Sequence, residues 1–124
     1  MPKAKDIMST DVVMVDGSAT VSEAVALMKA RKVRCLVVDR RHEDDAYGMV
    51  TQRDVVYKVV AKGLSPESVR VADIMAKPLV VVNMNLDVKY VARLMANTGL
   101  SRAPVVGEHK LMGVVTLSDI VQNM

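Results

Sequence analysis

A nine-residue pattern occurs twice in this chain of 124 residues: residues 48–56 read GMVTQRDVV, and residues 113–121 read GVVTLSDIV. The similarity extends beyond the pattern, because AKDIM at 4–8 returns as VADIM at 71–75, an offset of 75 minus 8, or 67 residues. Repetition on this scale indicates an internal duplication. Whatever fold the chain adopts must therefore be built from two similar halves.

The matched segments divide the chain into a first repeat at residues 1–62, a linker at 63–70 and a second repeat at 71–124. A chain of this length is sufficient for one core of ordinary size but too short for two independent domains. We therefore expect the two repeats to form one compact module.

The strand that precedes the pattern aligns with a different offset. RCLVV, which begins at Arg34, matches RAPVV, which begins at Arg102, so the offset there is 68 and one residue has been added in the second repeat. On this alignment Leu36 stands where the second repeat has Pro104. The threonines of the pattern lie 116 minus 51, or 65, residues apart, so the connector HEDDAY makes the first repeat longer.

Each repeat has the predicted order β-α-β-β-α. The β-branched runs VVMV and LVVV are the first strands, and helices with one apolar face follow them. Thr20 and Asp87 stand at the helix N-caps, and Glu23 completes a capping box in the first repeat. CLVV and APVV are the second strands, GMV and GVV the third, and closing helices run from Val55 and from Ile120.

The fold class that follows is mixed α/β (α+β), with two β-α-β-β-α repeats. One such unit has helices on a single face of its sheet, which leaves the other face apolar and uncovered. Packing the two sheets against each other, with pseudo-two-fold symmetry, would cover both faces.

The duplicated unit, the DIM opening, the R-x-P-V-V segment and the closing G-h-h-T-x-x-D-h-h (h is apolar) resemble a pair of cystathionine-β-synthase (CBS) domains, together called a Bateman module. The resemblance covers essentially the full chain. It implies a regulatory module that binds an adenosine ligand (AMP, ADP, ATP or S-adenosylmethionine) in clefts between the repeats. It also implies a homodimer formed through exposed helices, and a signal in which the bound ligand draws the repeats together.

The Thr-x-x-Asp part of the pattern has two interpretations, and both stay open. In the first, Thr51 and Thr116 are helix N-caps, and Asp54 and Asp119 face the positive end of the helix dipole. In the second, the threonine hydroxyl and the helix N-terminus attract phosphate, and the aspartate accepts hydrogen bonds from ribose hydroxyls. The resemblance implies the second role in both repeats. The glycine before each threonine is expected to open a strand after a turn.

Three arginines are further candidates for phosphate contact. Arg34 and Arg102 begin the matched strands, and the planar guanidinium fork suits phosphate. Some nucleotide-binding members of the family that this chain resembles carry such an arginine there. The alternative is that both are solvated ends of short strands. Arg53 lies inside the first pattern where the second has Ser118, so the two sites are not equivalent.

The resemblance places adenine against the first strand of each repeat and its approach, at Val12, Val13, Leu79 and Val80. With three tyrosines, no Phe and no Trp, the chain would hold a flat ligand between aliphatic side chains and not by ring stacking. The same four residues are also candidates for plain core.

We expect no enzyme activity, no metal site and no resident cofactor. His42 and His109 lie in polar connectors, Cys35 is expected to be a buried thiol in a strand, and the acidic residues 43–45 are expected to form a solvated turn. The chain lacks the G-x-x-x-x-G-K loop, so hydrolysis of a bound nucleotide is not expected.

Two alternatives to the sensor remain: a structural dimerisation unit that binds nothing, and a nucleic-acid-binding protein. The second is suggested by a net charge of +3 and by the basic residues Arg31, Lys32, Arg34, Arg40 and Arg41. It is the weaker of the two, because Phe and Trp, the usual stacking platforms for single strands, are absent.

No run approaches the roughly 18 apolar residues of a membrane helix, and MPKAKDIM lacks an apolar signal core. We therefore expect a soluble cytoplasmic protein that acts on a separate partner.

Overall fold

The computed structural model, which describes residues 2–77 and 80–124, contains two three-stranded sheets, one for each repeat. In each sheet the first strand pairs in parallel with the second, and the second pairs antiparallel with the third. The mixed α+β class is therefore confirmed. The strands are β1 (Met14–Val15), β2 (Cys35–Val38), β3 (Gly48–Thr51), β4 (Val82–Asn83), β5 (Arg102–Gly107) and β6 (Lys110–Thr116).

Six α-helices accompany the described strands, and the first closing helix continues into a π-helical segment, Val56–Val60. The closing helices begin at Gln52 and Leu117, three residues before the predicted starts, because the threonine of each pattern is itself the N-cap. The helices are α1 (Ala4–Ile7), α2 (Val21–Arg31), α3 (Gln52–Val55), α4 (Val71–Ile74), α5 (Val88–Thr98) and α6 (Leu117–Gln122).

The helices that join the first two strands begin where the sequence predicted, but their caps differ. The Thr20 hydroxyl accepts a hydrogen bond from the backbone N–H of Glu23 at 3.1 Å, which is half of the predicted capping box. Asp87 occupies the N-cap of α5 without a side-chain cap hydrogen bond. Its carboxylate instead lies 3.6 Å from the ammonium of Lys3, a residue distant in sequence.

The opening segment of each repeat packs with the sheet of the other repeat. The chain divides into a terminal unit, residues 2–12 with 80–124, and a central unit, residues 13–77. In the terminal unit, the N–H groups of Ala4 and Lys5 donate to the carbonyls of Leu86 and Met84 at 2.8 and 3.0 Å. The DIM segments are therefore exchanged between the sequence repeats.

The central unit repeats this arrangement with its own residues. The N–H groups of Val71 and Ala72 donate to the carbonyls of Ala19 and Gly17, both at 2.9 Å. Each exchanged segment also supplies core: Val71 and Ile74 are buried in the central unit, as Ala4 and Ile7 are in the terminal unit. Exchange thus contributes both backbone hydrogen bonds and apolar burial to each unit.

Gly113 lies inside β6 and does not open a strand after a turn, in contrast to the prediction. Ser9 and Val114 exchange two backbone hydrogen bonds of 2.9 Å there. A Cβ at Gly113 would come within 2.5 Å of the Ser9 carbonyl oxygen. Glycine is required at this position because the backbone of the exchanged segment, at Ser9, lies too close to β6 to leave room for a Cβ.

Gly113→Ala should therefore lower the free energy of unfolding by about 1–3 kcal/mol, the usual cost of overpacking. Gly48→Ala is the matched control: it begins β3, and a Cβ there would meet the flexible Met75 sulfur at 2.8 Å and the Ala76 carbonyl oxygen only at 3.2 Å. We expect a smaller loss for Gly48→Ala in urea denaturation. Equal losses for the two variants would contradict this explanation of the repeated glycine.

Candidate functional site

The Thr-x-x-Asp pattern forms a complete capping box in both units. The Thr51 N–H and hydroxyl donate to one carboxylate oxygen of Asp54, Oδ2, at 2.9 and 3.0 Å, and the Asp54 N–H donates back to the Thr51 hydroxyl at 3.2 Å. Thr116 and Asp119 repeat these contacts at the same three distances. The cap interpretation is thus satisfied in both places, and it uses only Oδ2 of each aspartate.

The two patterns differ at the second carboxylate oxygen, Oδ1. In the central unit Lys58 lies 3.3 Å from Oδ1 of Asp54 and also donates to the carbonyl of Ile74 at 2.9 Å. The corresponding residue in the terminal unit is Asn123, whose amide donates to the backbone carbonyl of Asp119 at 2.7 Å. No side chain in the described ranges is paired with Oδ1 of Asp119. Of the two pattern aspartates, only Asp119 therefore has an oxygen to which a ligand can bind without breaking an ion pair with a described side chain.

Sequence reasoning missed Lys58, although a signal for it was present. Asp54 and Lys58 are four residues apart at the start of a helical segment, and opposite charges at that spacing lie on the same helix face. The second repeat lacks the pair, because Asn123 replaces the lysine.

The alignment of Arg34 with Arg102 is wrong. In the central sheet Cys35 lies opposite Thr51, and in the terminal sheet Arg102 lies opposite Thr116. Arg102 thus occupies the position of Cys35, and the offset of 67 continues through the second strands with no added residue. By the same register Val37, and not Leu36, corresponds to Pro104.

This shift places the two arginines on opposite faces of their sheets, because successive strand residues alternate in direction. Leu36 belongs to the core beneath α2, so Arg34, two residues earlier, lies on the helix-covered side. Ala103 belongs to the core beneath α5, so Arg102, one residue earlier, lies on the other side. Directly opposite residues in an antiparallel pair have Cβ atoms about 5 Å apart, so Arg102 is a close neighbour of Thr116.

The exposed side chain of Arg53 stacks on the ring of Tyr57. Its guanidinium carbon lies 5.2 Å from the centroid of the Tyr57 ring, a cation–π distance. The terminal unit has Ser118 and Gln122 at the matching positions. The predicted asymmetry between the two patterns therefore extends to a second residue.

The residues predicted to line adenine are divided between the units. Val13 is 7% exposed and belongs to the core of the central unit, whereas Val12 is half-buried and Val80 is 37% exposed, and both belong to the terminal unit. Leu79 lies outside the described residues. The terminal unit thus contains Val12 and Val80 together with Arg102, Thr116 and Asp119.

The acidic connector forms the predicted turn, with Glu43 and Asp44 exposed, but Asp45 is anchored and only partly solvated. Its carboxylate accepts hydrogen bonds from the Arg41 backbone N–H at 2.9 Å and from Lys77 at 2.8 Å. These bonds, the first from Arg41 and the next from Lys77, hold the pKa of Asp45 well below its usual range. Cys35 is half-buried and not fully buried, and His42 and His109 are exposed.

Residues 2–77 and 80–124 bring together no group of three or more His, Cys, Asp or Glu side chains that could hold a metal ion. Every helix in those ranges falls short of the length and apolar character that a membrane crossing requires.

Comparison with known proteins gives the family. Residues 4–61 and 71–124 each match the family model of the CBS domain. The solved structure of a hexameric CBS-CP12 protein from bloom-forming cyanobacteria is 54% identical, with a TM-score of 0.89, over 96% of this chain and 66% of that chain. Hypoxic response protein 1 of Mycobacterium tuberculosis is 30% identical over 100% of this chain and 86% of its own length.

A protein from Methanopyrus kandleri is 32% identical over 118 residues, which are 94% of this chain and 60% of that protein. The chain therefore spans less than two thirds of the length of this relative and of the CBS-CP12 chain. Two matches to one domain model, in a chain with two sheets of the same topology, agree with the duplication read from the repeated pattern. The chain belongs to the CBS domain family and carries a pair of CBS domains.

Proposed function

We propose that this protein is a regulatory module that binds an adenosine ligand, AMP, ADP, ATP or S-adenosylmethionine, mainly at the pattern of the terminal unit. CBS domain pairs are generally regulatory modules that bind adenosine ligands, and proteins built from them alone are generally not catalytic. The observation that carries the choice of unit is the position of Arg102 directly opposite Thr116, beside an aspartate whose Oδ1 has no partner among the described residues.

Each residue has a distinct role in this proposal. Oδ1 of Asp119 accepts from the ribose hydroxyls while Oδ2 remains in the cap. Arg102 takes most of the phosphate charge, because the Thr116 hydroxyl proton already points to Asp119 and reaches phosphate only if it turns away. Val12 and Val80, which keep exposed surface, provide aliphatic walls for adenine.

The central unit is proposed as a weaker ligand site. Its aspartate is already paired with Lys58, its threonine faces Cys35 and not an arginine, and its Arg53 is stacked on Tyr57. A ribose there would have to displace Lys58 from Asp54. A ligand with more phosphate could use Lys58 and Arg53 in compensation, which makes this unit the candidate for an additional, more highly charged nucleotide.

A structural dimerisation unit without ligand is the second candidate function, since both capping boxes are complete without a ligand. Large apolar side chains are also exposed beside the patterns, among them Tyr57 at 59%, Val60 at 61% and Val121 at 62%. We propose that these exposed side chains, in each unit separately, contact another copy of the chain. Oligomerisation is also found in the CBS-CP12 relative, which is hexameric.

A thermal-shift experiment separates the two candidates. A ligand that binds only the folded protein adds about 2.7 kcal/mol of stability at a hundredfold excess over its Kd. We therefore expect at least one of AMP, ADP, ATP and S-adenosylmethionine to raise the melting temperature by several degrees, and inorganic phosphate at equal ionic strength not to do so. No rise with any of the four would favour the structural unit.

A further inference from the structure

A cleft of about 470 Å³ opens in the central unit, between the second half of α2 and the start of α3. Its floor is apolar and includes Val25, Met28 and Val55. Its rim is basic: Lys29, Lys32 and Arg34 line it, and all three side chains are exposed. The strand register has already placed Arg34 on this side of the sheet, away from the face that holds Thr51.

At the equivalent positions, the second repeat also has apolar residues where the cleft has its floor, but it lacks the three basic residues of the rim. Because α2 and α5 share the offset of 67, Met28 corresponds to Met95, and the rim residues Lys29 and Lys32 correspond to Ala96 and Gly99. Arg34 corresponds to Ser101, as the hydrogen bonds from the Gln52 and Leu117 N–H groups to these two carbonyls show. Three basic residues of one unit are thus three small neutral residues at equivalent positions of the other.

Lys32 is also the residue at which α2 ends, and it adopts a backbone conformation that favours glycine. Its φ is 56°, and the equivalent Gly99 has a φ of 70°. A non-glycine residue there is strained relative to glycine. The first repeat therefore carries a lysine at a position where the chain's own second repeat uses the residue best suited to the fold.

We propose that this cleft is a docking site for an acidic segment of a partner protein, with apolar side chains between the acidic ones. Within residues 2–77 and 80–124 no carboxylate is paired with Lys29, Lys32 or Arg34, so their charge is available to an acidic ligand. The apolar floor suits the side chains of an amphipathic segment lying in a groove between two helices.

The lining of the cleft also argues against the other macromolecular occupants. A second copy placed by two-fold symmetry would bring its own basic rim against this one, and like charges facing each other are repelled. A nucleic-acid strand would find no aromatic ring among the lining residues on which to stack a base.

The cleft also borders the ligand pattern of its own unit. α3 begins at the Thr51–Asp54 capping box and contributes Val55 to the floor, so a ligand that rearranges the box would move one wall. This coupling rests on the proposed function, whereas the docking itself does not. The docking experiment is therefore carried out without any nucleotide.

The test is selection of a phage-displayed library of random dodecapeptides on the purified wild-type protein. Counter-selection uses the triple variant Lys29→Ala, Lys32→Gly and Arg34→Ser, which carries the residues of the second repeat. This variant should fold, because every replacement already occurs at the equivalent place and Lys32→Gly relieves a strained conformation; its melting temperature checks this. We expect enrichment of peptides that alternate acidic and apolar residues, and about tenfold weaker binding to the variant, since exposed ion pairs contribute little individually.

The reverse graft, Ala96→Lys, Gly99→Lys and Ser101→Arg, should give the terminal unit affinity for the same peptides and supplies a second, independent readout. Neutral or basic peptides, equal binding to the triple variant, or no enrichment would overturn the proposal. So would a changed oligomeric state of the triple variant in light scattering, which would make the cleft a self-interface. The proposal would also be overturned if single-stranded RNA, and not the peptides, retained the wild type but not the triple variant.

Discussion

Asp119→Ala should weaken binding of the adenosine ligand by roughly 10- to 100-fold, whereas Asp54→Ala should change it by less than about threefold. A hydrogen bond to a charged group contributes about 1.5–3 kcal/mol, and 1.4 kcal/mol is a factor of ten in affinity. In the proposed site Oδ1 of Asp119 makes such bonds to ribose. Oδ1 of Asp54 is paired with Lys58, so removing that carboxylate takes little from the ligand.

The two substitutions are matched controls for each other. Both remove an aspartate from a capping box with hydrogen bonds of 2.9, 3.0 and 3.2 Å, so the loss of the box, about 1 kcal/mol, should be the same. Asp54→Ala also removes the partly exposed ion pair with Lys58, which contributes about 0–1 kcal/mol to stability and is measured from the melting temperature of each variant. Only the difference between the variants reports ligand contact. A larger loss with Asp54→Ala, or equal losses, would move the ribose contact away from the terminal unit.

Leu36→Ala should lower the free energy of unfolding by about 2–5 kcal/mol. Leu36 is 0% exposed in the core of the central unit, and truncating it removes buried methyl groups and leaves a cavity. Urea denaturation measures the change. Leu117→Ala is the control, because Leu117 is 50% exposed and its loss should cost no more than about 0.5 kcal/mol. A loss below about 1 kcal/mol for Leu36→Ala would show that the site repacks or that the core is not closed there.

The duplication made most of the fold predictable. Two similar stretches with the same β-branched runs and the same helical periodicity require the same topology, and both sheets have it. β1 contains only Met14–Val15 of the apolar run VVMV, and β4 contains only Val82 of the described part of the run LVVV, followed by Asn83. A run of valines marks apolar burial, but it does not fix where ladder hydrogen bonds begin.

The incorrect alignment of Arg34 with Arg102 has a physical cause. Aligning arginine with arginine treats the residue at the strand end as the fixed point, although strand register is set by which side chains face the core. Leu36, Val38 and Val50 face the core of the central unit, and Ala103, Val105 and Val115 that of the terminal unit. Matching these alternating positions gives an offset of 67 in the second strands and separates Arg34 from Arg102.

The exchange of opening segments could not be predicted, because the duplication itself hides it. AKDIM and VADIM are so similar that either can cover either sheet, and apolar burial at Ala4 and Val71 is complete in the exchanged arrangement. The salt bridge between Lys3 and Asp87 follows from the exchange, so local sequence rules could not predict it either.

Calorimetric titration of AMP, ADP, ATP and S-adenosylmethionine into the wild-type protein, repeated with Asp119→Ala and Asp54→Ala, tests the proposed ligand site most directly. From the proposed site we expect saturable binding of at least one of the four ligands, strongly reduced by Asp119→Ala and largely kept by Asp54→Ala. Absence of heat and of saturation with all four ligands would contradict the sensor, and both Thr-x-x-Asp patterns would then be helix caps alone.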